Sequence, residues 1–295
     1  MVHKKRYYLI LTIVVALAVW IYSGSYGTKS EKSEATGEKS KKSEHFTQQV
    51  LGFTIDGRSS KGSRQWHLEG ESADIIGEAI HLKELSAVVY GEDNIINLVS
   101  DTGVYRKEKG EVDLVGNVVV TADNGFKLTT DHATWSQLTK EISTDAIVNI
   151  VQDNLFAVGK GAMANSDSRI AVLEKEVTVK IEPHTNVYCD GSLTVDGNKN
   201  VAVFQDNVKV VDKDGKLFAD KLTVDMDTET KNIKKVVAEG NVKVKKGRSY
   251  TLSEKAIYTE STGKAKLIGR PRIIIDPEEI QNFDEFSGKD RMRAK

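Results

Sequence analysis

Gly116-Asn117-Val118, Asp206-Asn207-Val208 and Gly240-Asn241-Val242 are three copies of one tripeptide, and each is followed by an alternating run, a turn, and an acidic residue four positions before an aromatic or apolar one. The acidic partners are Asp131 before Trp135, Asp220 before Val224 and Glu254 before Tyr258, with a half copy, Asp101 before Tyr105, ahead of the first. The turn glycines Gly125 and Gly215 each lie nine residues after the first tripeptide position. Repetition of this kind marks stacked supersecondary units that cannot bury an apolar face alone. The chain therefore reads as a repetitive β structure.

Working outward, period-2 alternation broken by Gly, Asn and Asp dominates from Phe46 onward. Val177, Val179 and Ile181 alternate with Thr178 and Lys180, and Leu222, Val224 and Met226 alternate with Thr223 and Asp225. Twelve to sixteen strands of about five or six residues are expected, the apolar face of each lying on another layer in a folded-over sheet or sandwich. Pro183 interrupts the pattern, and Glu182 to Asn186 is the expected joint between two halves of the body. An unclosed terminal strand would offer unpaired backbone groups for association by strand addition.

The N-terminus differs. Lys4, Lys5 and Arg6 precede an uncharged run from Tyr7 to Tyr22 with interfacial aromatics at both ends, which reads as a membrane anchor with a cytoplasmic stub. Residues 26–45 are Lys, Ser, Glu, Thr and Gly with little to bury, and read as a flexible tether. The segment 278–295 is a charged tail.

Composition and motifs exclude more than they assign. Net charge is −1 over 295 residues, which argues against a nucleic-acid partner, and the lysines are scattered so that no basic face can be read from the sequence. The single Cys189 has no partner for a disulfide, and His3, His45, His67, His81, His132 and His184 match no metal spacing. Neither a metal nor a cofactor is expected. Gly159-Lys160-Gly161-Ala162-Met163-Ala164 fits a dinucleotide fingerprint, but no helix follows it, so it reads as a tight passage between strands. His132 beside Asp131, and His67 beside Glu69, lack a nucleophile in the same motif. No catalytic residue is expected.

A basic stub, one apolar run and a polar tether lead into Ser100-Asp101-x-x-x-Tyr105, Val115-Gly116-Asn117-Val118, Leu128-x-x-Asp131-x-x-x-Trp135, Ile142-Ser143-Thr144-Asp145 and Gly159-Lys160-Gly161. In that order they resemble the LptC family of lipopolysaccharide export proteins. Residues from about 187 to 276, with Asp206-Asn207-Val208, Ala219-Asp220 and Glu239-Gly240-Asn241-Val242-Lys243-Val244, resemble the related LptA/OstA repeat.

The resemblance implies an all-β, open β-jellyroll body of about two stacked units behind one N-terminal transmembrane helix. The expected domains are 1–25 stub and anchor, 26–45 tether, 46–182 LptC-like jellyroll, 183–277 LptA/OstA-like jellyroll and 278–295 tail. It implies that lipopolysaccharide passes from an inner-membrane ABC transporter of the LptB/LptF/LptG type, along an apolar groove, to an LptA-type periplasmic bridge protein joined by edge-strand pairing. The body would be periplasmic and the anchor in the inner membrane. The candidate groove lining is Val118, Val120, Leu128, Trp135, Ile142, Val148, Ile150, Val177 and Val179 in the first half, and Val208, Val210, Leu222, Val224, Val242 and Val244 in the second. Val118 and Val208 are expected at equivalent places, where a polar residue would block passage without unfolding the chain. The alternative is a non-catalytic anchored β-repeat scaffold that binds a protein partner or envelope polysaccharide.

Overall fold

The structure is a computed structural model that describes residues 48–58, 64–90, 95–165, 167–228 and 232–278; the expected anchor and tether, and nearly all of the tail, lie outside these. Among the described residues, no helix is long and apolar enough to cross a membrane.

The strands follow one another as β1 (Gln48–Arg58), β2 (Arg64–Ile76), β3 (Ala79–Tyr90), β4 (Ile95–Arg106), β5 (Glu111–Ala122), β6 (Lys127–Ser136), β7 (Glu141–Gln152), β8 (Leu155–Asn165) and β9 (Ile170–Ile181). Then come β10 (Thr185–Cys189), β11 (Leu193–Asp196), β12 (Val201–Asp212), β13 (Gly215–Met226), β14 (Ile233–Lys246), β15 (Ser249–Thr259), β16 (Lys264–Ile268) and β17 (Arg272–Ile274), with a 3₁₀ turn at Glu260–Thr262. Each full strand pairs antiparallel with the next. Between β9 and β12 the two short strands β10 and β11 share the work of one, and β16 and β17 likewise share the edge of β15. All strands belong to a single sheet.

Most strands are ten to fourteen residues long, about twice the expected length. The reason is local. The Gly-Asn and Asp-Asn pairs do not end strands but form bulges inside them: the ladder registers shift between Val115 and Val118, between Gln205 and Val208, and between Glu239 and Val242. At each bulge two successive residues take a left-handed backbone, with φ of 81° and 46° at Gly116 and Asn117, 64° and 51° at Asp206 and Asn207, and 74° and 47° at Gly240 and Asn241. Glycine and Asn/Asp are the residues that adopt this conformation at least cost.

An aspartate upstream of each tripeptide completes the bulge: Asp101 of the half copy, Asp190 just past β10, which the repeat did not include, and Asp220 of the second copy. Asn117 donates its carboxamide N–H to Asp101 Oδ2 at 2.9 Å, Asn207 to Asp190 Oδ2 at 2.8 Å, and Asn241 to Asp220 Oδ2 at 2.9 Å, each reaching across to the neighbouring strand. A bulge inserts residues on one strand and bends it. The parity of the alternation is kept through it, so that Leu114 and Val118, or Phe204 and Val208, four positions apart, all turn inward. The sheet folds over at this line of bends and buries its apolar face against itself, as a single sheet with one apolar face must.

The chain reverses from β9 into β10 at residues 182–184 without leaving the sheet. One core cluster runs from Ile96 to Ala256 across that point, and a smaller one gathers Phe53, Leu82, Leu85, Leu114 and Val118 near the start of the body.

The clasp gives a direct test. A methyl group at position 240 would run into the Asp220 carboxylate, and the φ of 74° disfavours any side chain. Gly240→Ala is expected to lower unfolding free energy by about 1–3 kcal/mol in urea titration. In an Asp220→Ala background the same change should cost less, about 1 kcal/mol, because only the backbone conformation is then penalised.

Candidate functional site

The interior between the two halves of the folded sheet is lined from both. An apolar cavity of about 60 Å³ is bounded by Val120, Leu128, Val148 and Ile150 on one side of the bends and by Ile142, Ala164, Leu173 and Leu193 on the other. Its only polar lining is hydroxyl: Thr130, Ser143 and Thr144. No group of three metal-ligating side chains occurs among the described residues.

Cross-strand register arranges the inward residues in rows. One passes from Leu98 to Val120, Leu128, Ile150, Ala157 and Val179, each the partner of the last. It continues through Val187, Val210, Leu217 and Val244, past residue 183, with no interruption. Each buried side chain of this size contributes roughly 1.5–3 kcal/mol by leaving water.

Fourteen of the fifteen candidate lining residues are buried or half-buried. Val118, Val120, Val148, Ile150, Val177, Val179, Val208, Leu222, Val224 and Val242 are buried, and Leu128, Trp135, Ile142 and Val210 half-buried. Val244 stands apart at 36% exposure, because it sits near the β14–β15 turn, beyond the packed part of its row. Val118 and Val208 both follow a bulge and are each 1% exposed, but Val118 belongs to the smaller cluster and Val208 to the large one. The tightness of both sites changes the expected effect of a polar substitution there. A polar group without a partner would cost roughly 1–3 kcal/mol and weaken the fold itself.

Several interior residues were not picked from the sequence: Leu155, Ala157, Phe126, Leu173, Leu193 and Val195. Leu193 and Val195 carried the alternation that would have found them; Ala157, being small, carried no signal. Gly159 and Gly161 lie within β8, where Leu173 and the Glu174 carboxylate close over them, so the fingerprint-like stretch is strand interior rather than a passage between strands.

One seam in the sheet is weaker than the rest. Between β6 and β7 the paired register stops at Thr129 with Asn149 and resumes only at Thr134 with Ser143. The Asp-Asn clasp is missing there, since β7 has Asp145-Ala146 where β5 has Gly116-Asn117. Instead His132 Nε2 meets Asp145 Oδ1 at 2.5 Å, which ends any acid-base reading of His132 with Asp131. The seam residues Thr130, Ala133, Thr144 and Val148 line the cavity. Hydrogen exchange should accordingly be faster, averaged over Thr130–Ala133 and Thr144–Val148, than over the matching residues of β13 and β14; equal protection would mean that the seam is as firm as a paired ladder.

Cys189 is buried, its Sγ directed to the carbonyl oxygens of Gly191 and Ser192. Burial raises its pKa to about 11, partly opposed by a backbone hydrogen bond from Gln205 and reinforced by the nearby carboxylates of Asp190 and Asp206. The folded thiol is thus protonated and inert at neutral pH, with thiolate appearing only as pH approaches 11. Alkylation by iodoacetamide at pH 8 should be negligible until denaturant is added.

Comparison with known proteins gives two family matches. A family described as lipopolysaccharide-assembly, LptC-related matches residues 11–182, and one described as LptA/(LptD N-terminal domain) LPS transport protein matches residues 191–293. No curated protein matched the chain. Among solved structures, LptH from Pseudomonas aeruginosa, described as the LptA homologous periplasmic component of the lipopolysaccharide transport device, aligns at 15% identity with a TM-score of 0.35, covering 42% of this chain and 95% of that one.

Proposed function

Because this chain belongs to the LptC-related family of lipopolysaccharide-assembly proteins, we propose that it is a membrane-anchored, periplasmic, non-catalytic conduit carrying the acyl chains of lipopolysaccharide between the two halves of its folded sheet. The observation that supports this most directly is the apolar row from Leu98 to Val244, which continues across both family matches. Such a row removes hydrocarbon from water at about 25 cal/mol per Å² and does so at every strand alike. A uniform wall holds a lipid without trapping it at one point. Direction must then come from an ABC transporter in the inner membrane that uses ATP.

A cavity of about 60 Å³ has room for only a few water-sized groups, at roughly 10–15 Å³ each. A long acyl chain enters, on this reading, only as the two halves part, and the β6–β7 seam is where parting disrupts the fewest hydrogen bonds. The ends of the sheet suit strand addition. Among the described residues, β1 pairs only with β2, and β16 and β17 only with β15, while Leu51 and Ile273 near these edges are 74% and 67% exposed. One edge would meet the transporter's periplasmic portion and the other an LptA-type bridge protein.

A photo-crosslinking amino acid at Val120 is expected to capture lipopolysaccharide in cells, whereas the same group at the outward-facing Lys243 captures none. Equal labelling at both would reject the interior path. Extracts of purified protein without any acyl lipid would favour the scaffold reading, to which the tightly buried Phe204, Leu222 and Val224 lend support.

A further inference from the structure

Lysine is scattered along nearly every strand in the sequence, and register gathers a subset of it. On the side of the bends that holds the β12–β13 and β14–β15 turns, the outward positions of β8 to β17 form two adjacent rows across the sheet. In one, Tyr188, Lys209, Phe218 and Lys243 are successive partners, and Arg272 follows one strand later. In the other, Phe156 faces Lys180, Lys216 faces Lys245, and Lys245 faces Tyr250. The six cations are Lys180, Lys209, Lys216, Lys243, Lys245 and Arg272; the remaining positions of both rows are uncharged. Glu182, just past the end of β9, pairs with Lys180 at 3.1 Å; Asp214 lies in the β12–β13 turn, and Asp190, Asp220 and Glu254 stand two positions along the chain from Tyr188, Phe218 and Leu252, at the bends.

Within these two rows no acid offsets the six cations, although the chain as a whole has a net charge of −1. The outward face on the other side of the bends mixes Glu111, Asp113 and Glu239 with Lys221, Lys235 and Lys255, and Lys255 pairs with Glu239 at 2.7 Å. Lys216 and Lys245 sit directly opposite one another, an arrangement that destabilises a sheet. The aromatic residues hold the charges low. Lys180 Nζ lies 5.6 Å from the Phe156 ring centre, Lys209 Nζ 5.5 Å from that of Tyr188, and Lys243 Nζ 4.5 Å from that of Tyr250. Cation–π contact of this kind fixes an ammonium without neutralising it.

We infer that this outer face binds an anionic glycan, a linear sugar chain bearing carboxylate or phosphate groups, laid across the strands. Adjacent strands are about 4.8 Å apart, so Lys209 on β12 and Lys243 on β14 present charges roughly 10 Å apart along a line. A line of fixed charges suits a linear polymer. A bilayer would call for a broad apolar surface standing beyond the charges, whereas the exposed apolar residues of these rows, Phe156, Val158, Tyr188 and Ile274, are each 37–39% exposed, and lysine lies over Phe156 and Tyr188. A lysine over each ring also competes with the stacking of bases of single-stranded nucleic acid there. The site lies on the outer wall, so the inference is independent of what fills the interior.

Binding of fluorescein-labelled polygalacturonate by the purified chain tests it, with uncharged dextran, phosphatidylglycerol vesicles and oligodeoxythymidylate as parallel probes. The wild-type chain should bind polygalacturonate and not dextran, and more weakly as salt rises. Lys209→Gln/Lys216→Gln/Lys243→Gln should lose about tenfold or more of that affinity. Lys221→Gln/Lys235→Gln/Lys264→Gln, which removes as much charge from elsewhere, should retain it. Equal loss in the two triple variants, or no polygalacturonate binding by the wild type, overturns the site. Stronger retention of vesicles or oligonucleotide than of polygalacturonate, lost in the first variant alone, overturns the glycan as its ligand. Unchanged thermal midpoints confirm that both variants are folded.

Discussion

Everything in this structure depends on bending a long strand at its middle without losing the sheet. The bend is made by two left-handed residues and held by a carboxamide that reaches an aspartate on the neighbouring strand, at 2.8–2.9 Å in all three repeats. Each bulge sacrifices ladder pairing, and each clasp recovers a hydrogen bond to a charged acceptor, worth roughly 1.5–3 kcal/mol net. Without the bend a single sheet of this size would leave its apolar face in water. Where the clasp is replaced, between β6 and β7, the ladder opens over the longest stretch and the interior cavity lies against the gap.

The second copy shows how specific the clasp is. Gly116 and Gly240 have no side chain because a carboxylate occupies the space, but the equivalent residue in the second copy is Asp206. There the room is made on the other strand, where Gly191 follows Asp190 and the Asp206 carboxylate lies against it. The same contact is built with the small residue on either partner. This exchange is why the repeat tolerates Asp in place of Gly and still reads as one motif.

Family membership and geometry converge on a body that is uniform along its axis. Interior rows run unbroken from β4 to β14, since the turn at residues 182–184 joins β9 to β10 within one ladder. Lipopolysaccharide conduction asks for a wall that is apolar, continuous and able to part, and the first two properties follow from strand alternation alone. The third is what we propose for the β6–β7 seam, where the ladder opens over the longest stretch. Charge on the outer wall is distributed separately from the apolar interior.

Much of this was legible beforehand. Alternation identified strands and their inward residues correctly because burial of one face imposes period 2, and Val148, Val177, Val208 and Val242 are where that rule puts them. Strand length was not legible, since Gly-Asn is both a turn signal and a bulge signal, and only pairing on both sides of it distinguishes the two. Val244 shows the same limit: its parity is right, but its exposure depends on how far along the strand the opposing layer reaches. The sequence by itself determined the fold class, the repeat and the inward face, because these follow from local propensity and period. The tertiary structure alone decided which acid clasps which asparagine, where the ladder opens, and that six scattered cations share one face. Those are relations between residues on different strands, and register, which local sequence does not encode, brings them together.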